Sequence, residues 1–98
     1  MELHEIIRAD CSKKENRIKL VKEVMRVLKL KEKPDLEKLE QISLKLGNKY
    51  NMRMKINHNI LTIHVDGGYS LINCESRYEA HLKHILYIRE YIKLCEKR

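Results

Sequence analysis

Two histidines, His81 and His84, stand three residues apart in a stretch whose apolar spacing is helical, which puts both imidazoles on the same side of a helix. That is half of a metal site, and His64, Cys74 or Cys95 would have to complete it from elsewhere in the chain. No HExxH or CxxC accompanies the pair, so a packed or interfacial role is preferred for both histidines, and no metal or other cofactor is expected. In an interface they would make assembly sensitive to pH near neutrality. Cys74 with a nearby histidine is a conceivable nucleophile pair, yet its place on the inward side of a strand predicts an inert buried thiol. There is no phosphate-cradling GxxxxGK, no GxSxG and no dinucleotide fingerprint, and Gly67-Gly68 reads as a hairpin turn. The expectation is a protein that binds and does not catalyse.

Charge is the other chemistry on offer. Between Lys13 and Lys33 nine basic residues face three acidic ones, which gives +6 of the chain's net +7. Such a helix can neutralise phosphates and release their counterions. The partner expected first is therefore anionic, nucleic acid or a nucleoprotein complex. It would be met by Lys13, Lys14, Lys19, Lys22, Arg26 and Lys29, helped by Arg53 and Lys55. The alternative is a protein-binding regulator or inhibitor, for example an anti-defence protein of a phage or mobile element, acting through Tyr87, Tyr91, Leu94 and His84 of the last helix. The same seam would serve a homodimer.

The elements that position these residues follow from periodicity. Ser12 and Glu15 have capping-box spacing, so a basic amphipathic helix is predicted over 13–33, running to about Lys31 before Pro34. Asp35 caps a second helix that Gly47 is expected to end. From Met52 to Cys74 the period is two. A two-residue loop at His58-Asn59 sets Met52, Met54 and Ile56 opposite Val65, Ile63 and Leu61, and the turn Asp66-Gly67-Gly68 sets Ile72 opposite Ile63. The other face of this sheet displays Arg53, Lys55, Thr62, His64, Tyr69 and Leu71. Ser76 and Glu79 open a last helix to about Glu96 whose apolar arc is too wide for one small sheet to cover, leaving only a strip with Glu79, Lys83, Glu90 and Lys93 polar. That helix is either central to the core or lies against another chain.

The fold class is α+β, a three-stranded antiparallel meander packed against helices in the order α-α-β-β-β-α. Residues 1–98 form one domain: 1–12 an arm or short helix, 13–33 the basic helix, and 35–98 an α-β-β-β-α unit. The order over 35–97 resembles the double-stranded-RNA-binding domain, whose final helix meets phosphates through lysines clustered at its start. Here that start reads Cys74-Glu75-Ser76-Arg77-Tyr78-Glu79, one Arg between acids, so the resemblance is one of topology and no site residues are carried over.

Three widely spaced cysteines indicate neither a disulfide framework nor a zinc knuckle. The first ten residues hold Glu2, Glu5 and Asp10 with no apolar run, so no signal peptide is read there. No stretch approaches the roughly 20 apolar residues that span a bilayer. A reducing cytoplasm is the expected setting, no membrane is expected as a partner, and the Lys, Ile and Asn bias points to an AT-rich genome.

Overall fold

The structure is a computed structural model that describes residues 1–65 and 67–96. Asp66, assigned above to the second hairpin turn, lies outside the described residues, as do positions 97 and 98. The elements are α1 (Leu3–Arg8), α2 (Lys14–Leu28), α3 (Leu36–Lys49), β1 (Met54–Asn57), β2 (Ile60–Val65), β3 (Gly68–Asn73) and α4 (Arg77–Glu96). This is the expected α+β order, with the N-terminal arm folded as a short helix.

The helix ends show which local signals won. Asp35 caps α3 as read, accepting from the Lys38 amide at 2.8 Å. Ser12 does not cap α2: its hydroxyl bonds Asp10 Oδ1 at 2.6 Å, and α2 starts after Lys13 without a side-chain cap. The link is held instead by Asn16, which donates to the Asp10 carbonyl, and by Arg17, which donates to the carbonyls of Cys11 and Ser12. α2 closes at Leu28, earlier than expected, because Lys29 takes the left-handed conformation at φ 57° and the Leu30 amide returns to the Met25 carbonyl. Gly47 does not end α3. The helix runs on to Lys49, and Asn51 adopts the positive φ of 55°, a conformation asparagine tolerates. Gly47 is needed for closeness: a Cβ there would stand 3.2 Å from the Met52 carbonyl oxygen and 3.3 Å from His84 Cε1.

The sheet has the order β1-β2-β3, antiparallel throughout. The first hairpin has the predicted register, Met54 opposite Ile63 and Ile56 opposite Leu61, around His58-Asn59. The second is displaced by two: Val65 pairs with Gly68, so Ile72 faces Leu61 and Ser70 faces Ile63. A shift of two preserves the face. Leu61, Ile63 and Ile72 still point into the core, while Lys55, His64, Tyr69 and Leu71 point out.

α4 lies at the centre. Every residue from Glu79 to Ile88 is buried. Leu82, Ile85 and Leu86 pack with Leu20, Val24 and Leu39 of α2 and α3, whereas Ala80, Tyr87 and Ile88 pack with Leu61, Ile63 and Ile72 of the sheet. Residues 80 and 82 are more than half a turn apart on a helix, so α2 and the sheet sit on opposite sides of α4. α1 and α3 close the two remaining sides. The wide apolar arc thus belongs to the core, and half of the supposed polar strip, Glu79 and Lys83, is buried with it.

Candidate functional site

The basic helix presents its charge outward. Lys13, Lys14, Lys19, Lys22, Arg26 and Lys29 are all exposed. Arg26 is committed to Glu23, which also holds the N-terminal ammonium at 3.3 Å; these partners keep the Glu23 carboxyl below the usual carboxylate range, the Arg26 hydrogen bond contributing most. Among the described residues no carboxylate lies within ion-pair distance of Lys14, Lys19, Lys22 or Lys29. Beside this ridge Lys14, Lys22 and Lys33 rim a groove of about 420 Å³ floored by Ile18, Val21 and Met25, with Lys33 Nζ 5.3 Å from the centre of the Tyr78 ring.

Arg53 and Lys55 are exposed as expected, but they do not join this surface. They lie on the sheet side of α4, opposite α2, so the eight basic residues read together from the sequence divide into two surfaces facing apart. The start of α4 bears no lysine cluster, and its Arg77 pairs with Glu40 at 2.8 Å.

The surface assigned to Tyr87, Tyr91, Leu94 and His84 is corrected. Tyr87 is 3% exposed, its hydroxyl 2.9 Å from Ser70 Oγ and its ring stacked on Tyr91 at 6.0 Å between centroids. His84 is fully buried. Both belong to one chain's own core because the sheet covers that side of α4; Tyr91 is half-buried and only Leu94 is freely exposed. The spare apolar surface is elsewhere, at Tyr69, Leu71 and Ile60 on the outer sheet face and Leu44 on α3.

His84 is used at both ring nitrogens. Nε2 donates to the Met52 carbonyl at 2.7 Å, since a carbonyl can only accept, and Nδ1 then accepts from the Ser43 hydroxyl. It is not half of a metal site. Burial depresses its pKa, the Met52 bond opposes that and His81 adds to it. Ser43 and His84 have the hydrogen bond of a nucleophile and base, but Ser43 is 1% exposed. The buried cysteines, Cys11 and Cys74, have thiol pKa values raised by burial, only partly offset by nearby Lys83; the buried position expected of Cys74 is the one observed. Cys95 is exposed. Glu2, His4 and Glu5 bring donor atoms within 4.8 Å of one another, all of them exposed and none enclosed by a second element.

His81 is different. It is 7% exposed, and neither ring nitrogen has a hydrogen-bond partner. It lines a cavity of about 670 Å³ between α3, the first hairpin and the start of α4, with Glu40, Ser43, Leu44, Met54, Ile56, His58 and Arg77. Glu40 Oε1 stands 3.9 Å from His81 Nε2. Desolvation lowers the His81 pKa, partly opposed by Glu40 and reinforced by Arg77, so the ring is neutral at pH 7. Sequence reasoning placed His81 near the core seam; that it stays unpartnered depends on which α3 side chains face it, and no local pattern carries that.

Comparison with protein-family models, with curated proteins and with solved structures finds no match for this chain.

Proposed function

We propose that this is a non-enzymatic binding protein that engages an anionic partner, nucleic acid or a nucleoprotein complex, along the outward face of α2. The observation that carries the reading is that Lys14, Lys19, Lys22 and Lys29 are exposed on or next to one helix with no acidic partner among the described residues. Cations left free in this way exchange counterions for phosphates. Arg53 and Lys55 are not part of this footprint.

The test is fluorescence anisotropy with labelled single- and double-stranded nucleic acid across a salt series. Binding should weaken steeply with salt, with a slope of about −0.7 to −0.9 per phosphate contact. Lys14→Glu, Lys19→Glu and Lys22→Glu together should cost roughly tenfold or more in affinity. Absent or salt-independent binding would remove the reading.

A second reading, a protein-binding regulator, draws support from a surface other than the one the sequence suggested. Tyr69 and Leu71 are 66% and 60% exposed on neighbouring positions of the outer sheet face. Replacing both with Ser should abolish such binding and leave the fold intact.

A further inference from the structure

We propose that the groove between α2 and the start of α4 docks an acidic amphipathic helix of a partner protein. Ile18, Val21 and Met25 form its floor, and their spacing of three and then four residues is that of one helix face, about 10 Å long. Ile18 is 43% exposed, so this apolar surface can be reached. Lys14, Lys22 and Lys33 stand exposed around it, and among the described residues no carboxylate lies within ion-pair distance of any of the three. Arg17, also in the lining, is held by the Cys11 and Ser12 carbonyls, and Glu79, the acid of the lining, is buried. An apolar floor inside a cationic rim complements the opposite arrangement, an apolar stripe flanked by aspartate or glutamate. Other occupants match it less closely. Nucleobases stack on aromatic planes, but this floor is aliphatic and Lys33 Nζ lies over the Tyr78 ring. An extended peptide seeks a strand edge for its backbone groups, whereas α2 and α4 wall the groove with helices. A second copy of this chain would bring a net charge of +7 to a basic rim. A helix satisfies its own backbone and offers ridges that fit between those of α2. Lys14 and Lys22 also belong to the face proposed for nucleic acid, but Lys19 and Lys29 do not line the groove, so the two kinds of binding can be separated.

Anisotropy of the full chain with a labelled peptide of about 15 residues tests this, the probe carrying leucines at helical spacing flanked by glutamates. Saturable binding at about 100 μM or tighter is expected, with a scrambled peptide of the same composition at least about tenfold weaker. Ile18→Ser combined with Met25→Gln should weaken the peptide about tenfold and leave any affinity for a single-stranded oligonucleotide unchanged. Lys33→Glu, at an exposed position between helices, should weaken the acidic peptide about threefold and a peptide with glutamine in place of glutamate not at all. This second comparison holds whether or not the double variant folds, which melting curves check. The proposal is overturned if the peptide does not bind at about 1 mM, if the scrambled peptide binds equally well, or if Lys33→Glu affects both peptides alike. It is also overturned if the folded double variant keeps the parent affinity for the peptide or loses affinity for the oligonucleotide instead.

Discussion

Lys83 Nζ donates to the Ala9 carbonyl at 2.7 Å and to the Asn73 carbonyl at 2.8 Å, tying the end of α1 to the end of β3 from inside the molecule. The side chain is fully buried, and among the described residues it has no ion pair. Lys83→Met keeps the aliphatic stem and leaves two carbonyls without a donor. Loss of about 2–4 kcal/mol in chemical denaturation is expected; a change below about 0.5 kcal/mol would show that water replaces the ammonium.

Tyr87 separates core from interface. Tyr87→Phe removes the bond to Ser70 and should cost about 0.5–1.5 kcal/mol. Tyr87→Ala opens the sheet–α4 contact and should cost about 3–5 kcal/mol. Sedimentation of the Phe variant should give the same molar mass as the parent chain.

Stability should fall in acid through His84 and His81. Both have folded pKa values below the ordinary 6.5, so the unfolded chain binds protons first. Their contribution is full above pH 6.5 and is lost as pH falls below that value through the folded pKa. Thermal midpoints between pH 7.5 and 5 should decline, and His84→Gln should flatten the decline while lowering the midpoint at pH 7.5.

Gly47→Ala offers a test of close packing. Helix propensity alone favours alanine by about 1 kcal/mol. The added methyl, however, meets the Met52 carbonyl and the His84 ring, which are bonded to each other and cannot yield separately. A net destabilisation of about 1 kcal/mol is expected, measured as a shift in the denaturation midpoint.

How much of this was legible depended on the range of the signal. The first hairpin was readable because Met54, Ile56, Leu61 and Ile63 alternate about a two-residue loop. The second kept its face but not its partners, since Gly68 opens β3 opposite Val65 where it was expected in the turn, and the alternation is blind to a slip of two. Ser12 was misread because Asp10, two residues away, competes for its hydroxyl. Lys83 and Glu79 share the spacing of a solvated strip, and it takes the end of α1, whose Ala9 carbonyl lies 74 positions away in sequence, to hold Lys83 in the interior. The basic ridge was readable from composition. The cavity was not, because Glu40, His58 and His81 meet only through the packing of α3, the first hairpin and α4.

The position of α4 also bears on how the chain is made. The principal contacts of α1, α2 and α3 all go to α4, the last of the described elements to leave the ribosome. Until it emerges, α2 and α3 lack the element against which their apolar faces are mainly buried. Folding during synthesis should therefore be postponed until α4 is available and then be close to all-or-none.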